Sequence, residues 1–164
     1  MSENKNKTLL VNAIKNGTVI DHMSAGSAIK VLELFKLVDI DKDKEVLTQA
    51  TVGINLKCKN GRFKDILKLE DRVLTEQELA NIAVFSPKAT INVIENFEVT
   101  KKFKVKMPKK LNGVLKCKNK SCISNKENIS TSFDVLENLS SSNSSSYSCT
   151  LRCIYCDYSF DRQF

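Results

Sequence analysis

Apolar positions in the first two-thirds of the chain fall into short alternating segments separated by turn residues. Thr8 to Ile14 reads as an apolar strand, Asn16-Gly17 as a turn, and Thr18 to His22 as a second extended run. Ser24 is a candidate N-cap, followed by Ala28, Val31, Leu32 and Phe35 at helical spacing. Val46, Ala50, Val52, Ile54 and Leu56 then share one parity, the period-2 pattern of a half-buried strand. Lys59-Asn60-Gly61-Arg62 supplies a hairpin turn, and Phe63 to Glu70 returns. Thr75 and Glu78 bracket a capping box, with Leu79, Ile82 and Ala83 on one helical face and Ser86-Pro87 ending the helix. Ala89 to Val105 is extended again. The order β-α-β-β-α-β predicts a ferredoxin-like α+β sandwich, two helices covering one sheet face.

In the strand Phe63 to Glu70, alternation places Phe63, Leu67 and Leu69 on one side and Lys64, Ile66 and Lys68 on the other. If the first set meets the helices, two ammonium groups stand on the open face, about 13 Å apart at their Cα atoms. Such a face suits an anion, although lysines also simply solvate exposed antiparallel sheets. His22, the only histidine, follows Asp21 at a strand end, where the pair offers an acceptor and a titratable donor.

Beyond Met107-Pro108 the pattern changes. Residues 107–164 hold few apolar groups and a serine-rich tract at 140–148, too little to fold on burial alone. They also hold Cys117 and Cys122, then thirty residues, then Cys153 and Cys156. Two short cysteine pairs across a longer loop bring four thiolates to the corners of a tetrahedron, which predicts one structural Zn²⁺ in a small all-β, zinc-ribbon-like domain. A closed four-sulfur site has no open position for a substrate. Cys149 is an alternative ligand, but the CxxC turn of Cys153 and Cys156 presents both sulfurs to one metal. The predicted division is therefore 1–106 and 107–164.

Charge and compartment narrow the function classes. The N-terminus has no apolar leader segment and no apolar run approaches a membrane span, so the expectation is a cytoplasmic chain with reduced thiols and no membrane partner. Net charge is +7, but Lys101 to Lys126 hold ten lysines and no acid, leaving the rest at −3. That block admits a basic zinc-ribbon nucleic-acid module as the alternative function. Against it, four thiolates and one Zn²⁺ carry −2 formally, which neighbouring lysines offset, and the chain has no Trp and no ribonucleoprotein motif. No catalytic nucleophile arrangement, carboxylate pair or Gly-rich phosphate loop is present, so the expectation is a non-enzyme that does not bind nucleic acid.

Ala13-Ile-Lys-Asn-Gly-Thr-Val-Ile-Asp-His22, Phe35-Lys-Leu37, Gly53-Ile-Asn-Leu56, Lys64-Asp-Ile-Leu-Lys68 and Ala89 to Val99 together resemble the regulatory chain of aspartate carbamoyltransferase. Asn112 to Cys117, Asn119 to Ser124 and Cys153 to Cys156 resemble its zinc domain. The resemblance runs in order over nearly the whole chain. It implies a non-catalytic allosteric subunit of pyrimidine biosynthesis that binds CTP as inhibitor and ATP as activator, with UTP as a further nucleotide. It pairs with a second regulatory chain and docks its zinc domain onto catalytic trimers. By position, Val11, Ala13, Ile14 and Val19 would line the base and sugar pocket, with Asn12 in the same run and backbone near Ile14 and Phe97 reading the base. Asp21 and Lys68 would hold ribose and base, His22 and Lys102 the phosphates, and Lys64 phosphates or a second nucleotide. Asn92, Ile94 and Val99 would complete the wall. Strict alternation sets Lys102 opposite in parity to Val99, so its role requires a bulge or a strand bend.

Overall fold

The computed structural model describes residues 13–35, 48–58, 60–137 and 148–163. The expected strand residues 8–12 with Val11 and Asn12, together with Val46, Lys59 and serine-rich residues 140–147, lie outside these.

The chain is α+β, with two antiparallel sheets. Strands β1 (Gly17–Ser24), β2 (Ala50–Lys57), β3 (Phe63–Glu70), β4 (Thr90–Glu95) and β5 (Glu98–Lys104) form the first, in the order β2-β3-β1-β4-β5. Helices α1 (Ala28–Leu34) and α2 (Glu76–Phe85) supply Ala28, Val31, Leu32, Ile82 and Ala83 to a core with Ile20, Met23, Leu67, Leu69 and Ile91. The four strands of the sandwich take the expected places, and β5 adds a fifth. The Thr75–Glu78 capping box is formed, with reciprocal bonds of 3.3 and 2.8 Å.

Four local expectations are corrected. The stretch Ala89 to Val105 is a hairpin, not one strand: Asn96 and Phe97 take φ 52° and 68°, as a two-residue type I′ turn requires. Asn tolerates that region, but Phe does not readily, at a cost of about 1–3 kcal/mol for such backbone strain. Two bonds hold it, Phe97 N–H to the Lys15 carbonyl (2.8 Å) and Asn96 N–H to Asn16 Oδ1 (3.0 Å). Second, the α1 N-cap is Ser27, not Ser24, and Ser27 makes no side-chain bond to the helix. The Asp65 carboxylate accepts the Ala28 N–H instead (3.0 Å). Third, Phe63 is 57% exposed, and fully buried Asp65 holds the inward position next to it on β3. Fourth, the single parity of β2 is broken by a bulge at Ile54–Asn55, where Asn55 has φ 54° and Ile54 turns to solvent.

The second sheet runs β6 (Lys110–Asn112), β7 (Ser132–Glu137), β8 (Ser148–Cys153) and β9 (Ser159–Gln163) in sequence order, with a short helix α3 (Ile123–Lys126). Its core holds Leu111, Phe133 and Leu151 with Cys117, Cys122, Cys149 and Cys153. Buried Val84 of α2 belongs to this second core, and Phe85 and Met107 pack against both. Helix α2 is thus apolar on two faces and joins the two halves.

Candidate functional site

The sheet face away from the helices is organised by three bulges. On β1, Asp21 and His22 together oppose one residue of β3, and His22 takes φ 56°. The left-handed turn keeps Ile20 and Met23 both inward, while Asp21 and His22 stay accessible. On β5 the pairing steps from Ile94–Val99 to Val93–Lys101, leaving Thr100 extra. That step brings Lys102 directly opposite Asn92. Because paired residues share a face, Thr51, Lys68, Val19, Asn92 and Lys102 form one row across all five strands.

Over the three central members of this row a pocket of about 350 Å³ is lined by Ala13, Ile14, Val19, Ile66, Lys68, Asn92, Ile94, Phe97 and Val99. Its wall is the Ala13–Asn16 segment stapled to the strained Phe97 turn. Lys68 is buried, and burial pulls its pKa below the ordinary lysine value. Phe97 is 64% exposed at the rim, a ring available for stacking.

Two residues farther along the same strands lies a second cleft, of about 480 Å³, whose lining includes His22, Cys58, Arg62, Lys64, Lys88, Thr90 and Lys104. Asp21 sits between the two. Its Oδ1 accepts from Lys64 Nζ (2.6 Å) and from the His22 N–H (2.7 Å), and its Oδ2 lies 3.0 Å from His22 Nδ1. Partial burial pushes the Asp21 carboxyl up, but the Lys64 and His22 contacts outweigh it and hold the pKa below its usual value.

The structure therefore gathers Ala13, Ile14, Val19, Lys68, Asn92, Ile94, Phe97 and Val99 at one pocket, and His22 and Lys64 at the adjoining cleft. Lys102 stands on the same face without lining either. Ile66, Arg62, Lys88 and Lys104 were not singled out for a ligand. Parity could have found two of them, since Ile66 lies between Lys64 and Lys68 on that face and Lys104 is two residues from Lys102.

In the second half, the sulfurs of Cys117, Cys122, Cys153 and Cys156 lie within 4.8 Å of one another. Cys117 to Cys156 and Cys122 to Cys153 are both 3.8 Å. A tetrahedron with metal–sulfur bonds of about 2.3 Å has edges of about 3.8 Å, so the cage fits one four-coordinate ion and is far too open for disulfides. Cys149 is buried in β8 outside this group. The sequence places the ligands through local turns: the Cys122 N–H bonds the Asn119 carbonyl (3.0 Å), and Asn125 Nδ2 donates to the Cys117 and Asn119 carbonyls (2.8 Å each). Such supports fix ligand orientation. Without metal, burial pushes the Cys117 thiol up to about 12, whereas Ser124 Oγ, 3.2 Å from Cys122 Sγ, lowers that thiol to about 7. Metal capture must therefore expel protons.

A sheet with an anion-ready pocket, joined through a shared helix to a closed four-sulfur module, defines a metal-structured binding chain. Residues 9–106 match the family model described as the aspartate carbamoyltransferase regulatory chain, allosteric domain, and residues 109–163 match its metal binding domain. The curated relatives include aspartate carbamoyltransferase regulatory chains from Chromobacterium violaceum, 39% identical over 94% of this chain and 93% of the relative. Others are from Thermoplasma volcanium, 40% over 92% and 91%, and Yersinia enterocolitica, 41% over 94% and 92%. The chain belongs to the aspartate carbamoyltransferase regulatory chain family.

Proposed function

We propose that this chain is a non-catalytic cytoplasmic subunit that binds nucleotides on the first sheet and transmits their occupancy to catalytic trimers of aspartate carbamoyltransferase. CTP acts as inhibitor, ATP as activator, and UTP shares the face. The base and ribose enter the pocket between Ile14, Ile94 and Phe97. The phosphates extend toward Lys102, His22 and Lys64. Val11 and Asn12, next to Ala13 in the sequence, belong to the same set of nucleotide-binding residues, and Asp21 takes the ribose. The observation that carries this reading is the convergence of buried Lys68 and an exposed aromatic ring on one apolar pocket beside a cationic cleft. An apolar cavity of this size with a few directed polar groups is the usual form of a small-molecule site.

Residues 1–106 constitute the nucleotide domain and 107–164 the docking domain. The resident metal is Zn²⁺, one per chain, because four thiolates in a tetrahedron select it among common divalent ions. Its role is architectural, since all four positions are filled by protein. The route between domains is α2, whose Ile82 and Ala83 pack under the nucleotide sheet while Val84 is buried in the metal-site core. A ligand shifts the partner only through differential affinity for its two global states.

Titration of the purified chain with CTP and ATP tests the pocket. Saturable binding is expected for the wild type, weakened at least about tenfold in Lys68→Ala, the loss of one charge-assisted contact in a buried setting. No saturation, or equal affinity in the variant, rejects the site.

The regulatory pair forms through β2. Edge strands are normally guarded by charge, and β5 carries Lys101, Lys102 and Lys104, whereas β2 has no charged residue before Lys57 and exposes Ile54. Two β2 edges can therefore meet and extend the sheet. Ile54→Lys should convert the dimer to monomer in sedimentation; an unchanged dimer places the interface elsewhere.

A further inference from the structure

A third cavity, of about 180 Å³, opens where the two halves meet, between the Ser24–Ser27 turn and β9. The turn is closed by the Ser27 N–H bonding the Ser24 carbonyl (3.0 Å), with Gly26 at φ 79°. Lys30 projects into the cavity from α1 and Arg162 from β9. Both cations lie against the same ring: Lys30 Nζ is 6.0 Å and Arg162 Cζ 5.4 Å from the Phe85 centroid. The lining contains these two cations, the turn and the ring, and no carboxylate.

We infer that this junction cavity binds a single small oxyanion, inorganic phosphate or its like, held between the Arg162 guanidinium and the Lys30 ammonium. The volume is below that of sites for nucleotide-sized ligands, so the site is separate from the effector face. Two cations lining one cavity repel each other, and a doubly charged anion bound by both reverses the sign of that interaction. Arg162 suits the role because its planar fork donates two parallel bonds to one phosphate, while Lys30 supplies a mobile point charge. Burial also pulls the Arg162 pKa below its ordinary value, opposed by Cys149. Because the two cations belong to opposite halves of the chain, occupancy ties α1 to β9 and stiffens the junction beside α2.

The test is amide and guanidinium NMR of the full metal-loaded chain, titrated with inorganic phosphate against chloride at constant ionic strength. Saturable shifts are expected at Gly26, Ser27 and Arg162 Nε. Lys30→Gln and Arg162→Gln should each weaken them at least about tenfold, while Lys64→Gln on the effector face leaves them unchanged. Lys30 is exposed, so its variant keeps the test valid even if Arg162→Gln disturbs the fold. Shifts confined to His22, Lys64 and Lys88, shifts that never saturate, or wild-type affinity in Lys30→Gln overturn the site. Failure there leaves the nucleotide pocket untouched, because that pocket is tested by Lys68.

Discussion

Removing the metal should unfold residues beyond Met107 while leaving the first sheet intact. Among the described residues, the second core has only Leu111, Phe133 and Leu151 as large fully buried side chains of its own, and three cluster sulfurs fill much of the rest. Structural metal binding by such sites contributes about 10–16 kcal/mol at neutral pH, as much as the whole stability of an ordinary domain. Without it, four thiols stand within 4.8 Å with no partner strong enough to order their loops. Chelation, or Cys122→Ser, is expected to abolish amide exchange protection throughout β6 to β9. Protection in β1, β3 and β4 should persist, because their core draws on Ile20, Leu67, Leu69 and Ile91. The end of α2 should fray in step, since Val84 loses its cover. Cys149→Ser is the internal control: it alters a buried thiol outside the cage and should keep one metal per chain. Full protection after stoichiometric metal loss contradicts the architectural role.

What could be read from sequence follows a physical line. Patterns set by neighbours in the chain were legible: the alternation that sends Leu67 and Leu69 inward, the Thr75–Glu78 box, and the spacing of the four cage cysteines. Features set by pairing across strands were not. A period-2 reading assumes an unbroken strand, so it missed the bulges at Asp21–His22 and Ile54–Asn55, and with them the exposure of Ile54. An irregularity between Val99 and Lys102, a bulge or a bend, was anticipated only because the family resemblance required both residues on one face, and the structure makes it the bulge at Thr100. Phe97 was expected within a strand because nothing local announces a bulky residue at positive φ. Its conformation depends on bonds to Lys15 and Asn16, some eighty positions away. Lys68 was expected on an open face and is buried because that same segment and turn wall its pocket. Val84 was silent for a related reason: the face it covers belongs to the other half of the chain.

Asp65 is the residue whose loss should cost the first sheet most per atom removed. Its carboxylate is fully buried and accepts from the Ala28 N–H at 3.0 Å and the Asn55 N–H at 2.9 Å. The first bond caps α1, whose own Ser27 does not, and sets a negative charge at the positive end of the helix. The second holds the β2 bulge, where Asn55 sits at φ 54°. Hydrogen bonds to a charged group contribute about 1.5–3 kcal/mol each, so Asp65→Ala should destabilise by about 3–5 kcal/mol in urea unfolding. Asp65→Asn keeps one acceptor of similar shape and should lose about half as much. Because Asp65 lies between Lys64 and Ile66 on β3, loosening it also disturbs the floor of both cavities on the open sheet face. Nucleotide affinity should therefore fall in Asp65→Ala even where the sheet remains folded. A loss within about 1 kcal/mol, with unaltered nucleotide affinity, means that water serves both N–H groups and that β3 does not tie the pocket to α1 and the β2 edge.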